Sequence, residues 1–138
     1  MYAFRKLSIH FALPLSALLL LSCKAQEVSL RSTAWKLVRI ENEDLTTFKE
    51  PITLEFSDDQ ARISGFGGCN RYFGSCRLSG NQITFSQIGS TKMFCQETQH
   101  IEDTFFRLLN EADSFEAQGD KLLLRKDGTP TLQFSRKQ

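Results

Sequence analysis

Through most of this chain apolar and polar residues alternate in short runs separated by turn-forming clusters. Trp35 and Leu37 flank Lys36, and Ile52, Leu54 and Phe56 alternate with Thr53 and Glu55. Ile63 follows a Ser57-Asp58-Asp59-Gln60 turn. A period of two with one apolar face is the pattern of half-buried antiparallel strands. It predicts strands over residues 33–40, 52–56 and 61–64, with the acidic stretch 41–50 as a surface loop. Farther on, Tyr72, Cys76 and Leu78 share one face while Arg71, Ser75 and Arg77 share the other, so Cys76 is expected to point inward. Ser79-Gly80-Asn81 turns the chain, Ile83 and Phe85 set the next inward face, and residues 88–93 continue extended. Three last strands carry Phe115 and Ala117, Leu122 and Leu124, and Leu132 and Phe134, with hairpins at Gly119-Asp120 and Lys126-Asp127-Gly128. Pro130 cannot donate to a ladder, which predicts a final strand that starts late or lies at an edge.

The period changes once. Ile101, Phe105, Leu108 and Ala112 fall at helical spacing, with Glu102, Asp103 and Arg107 elsewhere on the wheel, and this predicts an amphipathic helix over residues 97–111. Its single apolar stripe needs a face to cover. The fold class that follows is α+β and β-dominated, an antiparallel sheet with one packed helix.

Between Ile63 and Cys95 the chain holds six of its eight glycines and three of its four cysteines. Gly65, Gly67 and Gly68 crowd into four positions, so the backbone there must bend or adopt a positive φ between strands. Two chemistries fit that stretch. The glycines and Asn70 form a bulge or kink, or their N–H groups form a concave nest that captures an anion.

The N-terminus narrows the setting. Arg5 and Lys6 precede an apolar run broken by His10 and Pro14, and the run ends at Leu20-Leu21-Ser22-Cys23. A basic region, a short apolar region and a small residue before a cut describe a secretory signal. The run is too short and interrupted for a membrane span, which takes roughly 20 apolar residues. The junction resembles a bacterial lipobox, which implies cleavage after Ser22 and a diacylglyceryl thioether on Cys23. Residues 1–22 are then the signal, 23–32 the lipidated cysteine with a polar tether, and 33–136 one domain. Lys24 after the lipidated cysteine favours the outer membrane by the sorting habit of proteobacteria. Setting Arg5 and Lys6 aside leaves 15 basic against 16 acidic residues, and this even balance with no basic block argues against nucleic acid as a partner.

Gly68, Cys69, Asn70, Arg71, Tyr72, Gly74 and Ser75, followed later by Thr91, Met93 and Cys95, resemble the pattern of the META domain family, also called HslJ-like. The likeness runs from the Trp35 strand to Phe134. Cys76 stands where an aromatic is usual, Phe94 where a small residue is common, and Lys92 where arginine is usual. The resemblance implies a small β-rich barrel-like domain on bacterial envelope lipoproteins, some linked to heat shock or antibiotic tolerance, with no catalytic activity established for the family.

Cys69 and Cys95 occupy the family positions, which suggests that they pair and leave Cys76 reduced; Cys69–Cys76 and Cys76–Cys95 remain open as alternatives. Disulfides suit an extracytoplasmic compartment, and the 26-residue separation would be worth about 3.5 kcal/mol in the chain-entropy model. Gly67, Gly68, Asn70, Arg71, Tyr72 and Lys92 form the candidate binding patch. No metal site or cofactor is expected: zinc wants four clustered ligands, and His100 is the single histidine after Cys23. A Cys95–His100 dyad lacks suitable spacing and an oxyanion hole, so no enzyme is expected. Most of the 12 phenylalanines read as core. The expected function is a non-enzymatic, lipid-anchored binding or structural module in envelope maintenance, meeting the membrane through Cys23 and possible envelope protein partners. The alternatives are a carrier of a small hydrophobic ligand in a cavity lined by Phe56, Phe66, Phe85 and Phe115, or a copper or thiol module using Cys69, Cys76 and Cys95.

Overall fold

The computed structural model describes residues 29–45 and 49–138, so the expectations for the leader and for Cys23 lie outside the described residues. The strands are β1 (Ala34–Ile40), β2 (Glu43–Asp44), β3 (Thr53–Phe56), β4 (Arg62–Phe66), β5 (Arg71–Ser79) and β6 (Gln82–Ser90). Helix α1 (Gln99–Glu111) follows, and β7 (Ser114–Gln118), β8 (Lys121–Lys126) and β9 (Thr129–Arg136) complete the domain. Neighbours in the order β2-β1-β3-β4-β5-β6-β7-β8-β9 are antiparallel, and β1 also pairs with β9. The sheet therefore closes into a ring, which removes the exposed edges that an open sheet would offer. Short β2 pairs with Arg39 and Ile40 beyond the stretch of β1 that β3 covers.

Alternation decides which side chains fill the ring. Trp35, Leu37, Leu54, Ile63, Tyr72, Cys76, Ile83, Phe85, Leu122, Leu124, Leu132 and Phe134 are buried in one cluster. Helix α1 packs on β6, β8 and β9 and adds Ile101, Phe105, Leu108 and Leu109 to the same core. Each fully buried residue of this size contributes roughly 1.5–3 kcal/mol from apolar surface removed from water, set against the entropy of ordering the chain.

Four expectations change. Leu30 is 1% exposed and belongs to the core, and the Thr33 hydroxyl donates to its carbonyl at 2.6 Å, so the packed core reaches back to residue 30, ahead of the first expected strand. The stretch 41–50 is more than a loop, because it forms β2 and buries Leu45. Pro130 lies within β9 rather than ahead of it, opposite Arg125 at a shift in the β8–β9 register. Its missing N–H is tolerated because β1 pairs with β9 only from Leu132 onward. Glu102, placed by the helical wheel away from the apolar stripe, is only 2% exposed.

Candidate functional site

The glycine stretch becomes the β4–β5 hairpin, whose ladder ends at the Phe66–Arg71 pair and whose loop is residues 67–70. Gly68 sits at φ 116, a conformation that side-chain-bearing residues avoid. Gly67 needs its missing Cβ for another reason: an added carbon would lie 2.7 Å from Phe106 Cζ and 2.9 Å from Glu102 Oε2. The hairpin loop is thus pressed directly against the helix.

Glu102 turns that contact into a lock. Its Oε2 accepts the backbone N–H groups of Cys69 at 2.9 Å and Asn70 at 2.6 Å, and its Oε1 accepts Asn70 Nδ2 at 2.7 Å. Of the two readings of the glycine stretch, bulge and anion nest, the geometry combines features of both. The anion is the chain's own carboxylate, delivered by α1, and charge-assisted bonds of this kind are about twice as strong as neutral ones.

Asn70 carries the lock across to a third segment. Its Nδ2 also donates to Met93 O at 3.0 Å, and its Oδ1 accepts from Thr91 Oγ1 at 2.8 Å and from Met93 N–H at 2.7 Å. Two donors and two acceptor sites are all that an asparagine amide has, and all four are used. Cys69 and Cys95 close the same region with a disulfide, Cα atoms 5.8 Å apart. Residues 91–95 are consequently tied by Thr91 N–H to Arg71 O at one end, by Asn70 in the middle and by the disulfide at the other. With its backbone so held, this segment exposes Met93 and Phe94 to 60% and 78%.

Tyr72 supports the loop from within the barrel. Its hydroxyl donates to Thr53 O at 2.7 Å, and its ring meets Phe105 and Phe106 edge-on at 5.6 and 5.3 Å. Burial first, and the nearby Glu55 carboxylate second, push the phenol well above its ordinary range. Cys76 faces inward as alternation predicts, and burial pushes its thiol up to about 12.

The structure divides the expected patch. Gly67, Asn70 and Tyr72 are buried and Gly68 is half-buried, so their side chains and backbone serve the lock; only Arg71 and Lys92 stand on the surface. Among the phenylalanines expected to line a cavity, Phe56 and Phe85 pack against each other in the core, with ring centroids 6.5 Å apart. Phe66 instead faces an outer cleft beside Glu50, Pro51, Thr53, Glu55, Arg71 and Lys137, and Phe115 is half-buried. The three-thiol copper reading fails for a simple reason: Cys69 and Cys95 are bonded to each other, leaving Cys76 alone. Among the described residues no group of three or more His, Cys, Asp or Glu converges as a metal site.

Sequence reasoning missed Glu102 and the exposed Met93-Phe94 pair. The signal for Glu102 was available, since it lies three and four residues before Phe105 and Phe106 and therefore on the edge of the apolar face. The signal for residues 91–95 was weaker: consecutive Met93 and Phe94 break strict alternation.

Comparison with known proteins places this geometry. A protein from Burkholderia xenovorans solved by NMR is 29% identical, with a TM-score of 0.63 over 78% of this chain and 83% of its own. A second NMR structure matches with a TM-score of 0.63 at 23% identity over 78% of this chain and 94% of its own. A DUF4847 family protein from Bacteroides vulgatus shares the fold, with a TM-score of 0.56 at 15% identity over 77% of this chain and 93% of its own. No curated protein matches significantly. The model of the META domain matches residues 28–138, which take in every strand, the helix and the disulfide. With the sequence pattern, the closed sheet and the family model agreeing over four-fifths of its length, the chain belongs to the META domain family.

Proposed function

We propose that the protein is a lipid-anchored, non-enzymatic binding module of the bacterial cell envelope, acting in envelope maintenance or stress tolerance. The anchor reading rests on the sequence: a basic start, a short apolar run and Cys23 after a small residue, with Lys24 favouring the outer membrane. In this reading residues 1–22 are the leader. The state of the thiols supports a non-enzymatic role, since Cys69 and Cys95 are spent on a bond and Cys76 is buried with its thiol held protonated.

The observation that carries the binding reading is the pinned segment 91–95. Adjacent large apolar side chains at 60% and 78% exposure are costly to solubility unless something covers them. Holding their backbone in advance means that a partner pays less ordering entropy on docking.

The test places a photo-crosslinking residue at position 94 and, as a control, at Gly80, whose turn is open to solvent. In cells, position 94 should give a discrete adduct and position 80 should not; equal yields from both would end the binding reading. Cys23→Ser should abolish fatty-acid labelling of the chain, and labelling that survives it would end the anchor reading.

A further inference from the structure

We propose that residues 92–94 form a membrane-inserting tip, with Lys92 at the headgroups of an anionic bilayer and Met93 and Phe94 entering its interface. The proposal rests on the reading of this segment as the recognising surface and names what it recognises.

Three observations favour a lipid surface over a protein. The first is backbone satisfaction. The hydrocarbon toward which an apolar tip reaches cannot satisfy unpaired N–H and C=O groups. In this segment the Thr91 N–H reaches Arg71 O, the Met93 N–H and C=O are both bonded to the Asn70 amide, and the Cys95 C=O accepts the Thr98 and Gln99 N–H groups. The tip offers apolar side chains while the Thr91 N–H, the Met93 N–H and C=O and the Cys95 C=O beside them are already bonded within the chain.

The second is charge. From Gln60 to Gln96 the chain contains no aspartate or glutamate, while Arg62, Arg71, Arg77 and Lys92 lie within it; the acidic residues are all elsewhere. Two of these cations have carboxylates from neighbouring segments, Arg62 with Asp59 at 3.9 Å and Arg71 sharing its cleft with Glu50 and Glu55. Lys92 and Arg77 are in no ion pair among the described residues, and Glu97 is the first acid after the tip. A lone cation beside exposed apolar residues is the composition that interfacial anchoring uses.

The third is rigidity. The disulfide and the Asn70 amide hold the tip out, so its apolar side chains cannot fold back on the barrel to escape water.

The test uses residues 28–138, without leader or lipid, and vesicles of phosphatidylethanolamine mixed with phosphatidylglycerol, compared with phosphatidylcholine alone. Sedimentation should show binding to the anionic vesicles that weakens with salt. Phe94→Ser and Met93→Ser should each lower it about tenfold, and Lys92→Glu by a similar factor, with thermal unfolding unchanged. No binding to the anionic vesicles, or binding indifferent to Phe94→Ser, overturns the lipid proposal. A crosslink from position 94 to a protein in cells would also overturn it while leaving the broader binding reading intact.

Discussion

Two hairpins of this domain are built from the same ingredients and do opposite things. The β8–β9 turn uses Asp127 at φ 49 and Gly128 at φ 78, and a carbon added to Gly128 would meet nothing within 4 Å. It reverses the chain and presents itself to water. The β4–β5 loop also relies on a glycine at positive φ, yet both faces of it are occupied, by Phe106 and Glu102 on the helix and by the segment 91–95 through Asn70. The first hairpin connects two strands. The second connects two strands, a helix and an exposed segment, and the difference lies in one buried carboxylate and one fully bonded amide.

Breaking that difference should cost most at the carboxylate. Glu102→Ala leaves the Cys69 and Asn70 N–H groups buried without an acceptor and should lower stability by about 4 kcal/mol in denaturant titration. Glu102→Gln keeps one acceptor oxygen and should cost roughly half as much. Replacing both Cys69 and Cys95 by serine should cost about 3.5 kcal/mol, as the loop between them regains its freedom in the unfolded chain. Gly128→Ala, in the open turn, should cost only about 1 kcal/mol, the penalty for a side chain at positive φ with no neighbour to strike.

Cys76 supplies a contrast in pH. Its folded thiol is pushed up to about 12 from an ordinary value of 9.0. A folded pKa above the unfolded one contributes stability that is complete below pH 9 and is lost as pH rises toward 12. At neutral pH the native protein should therefore resist iodoacetamide, and labelling should appear only on unfolding; fast labelling of the native protein would place Cys76 outside the core. The smallest effect is expected at the tip, where Phe94→Ser should change stability by less than about 0.5 kcal/mol.

How much of this was legible depends on whether a residue's place is set by its neighbours in sequence. Trp35, Leu37, Leu54, Phe56 and Cys76 were, because a period of two assigns each side chain a face regardless of what lies opposite. The Gly119-Asp120 and Asp127-Gly128 turns were legible for the same local reason. Leu30, Leu45 and Pro130 were not. Their positions depend on which strand lies alongside: Ser57 beside the incoming chain, Arg39 and Ile40 beside β2, and a β1 that stops pairing before Pro130. The family resemblance pointed to Asn70 and to the Cys69–Cys95 pairing among three possibilities, while the reading of the glycine stretch as a binding patch placed Asn70 and Tyr72 among its recognition residues. Both face inward, because residue identity in a motif does not say whether the group it bonds is a partner or the chain's own Glu102.

Asn70 holds residues 91–95 as a fixed part of the fold. Hydrogen exchange at the Met93 amide tests it most directly, since that N–H bonds the Asn70 side chain at 2.7 Å. Protection at Met93 should come close to that of the Leu132 amide in the oxidised protein, and should be lost at Met93 in Asn70→Ala while Leu132 stays protected. Rapid exchange at Met93 in the unmodified protein would contradict it.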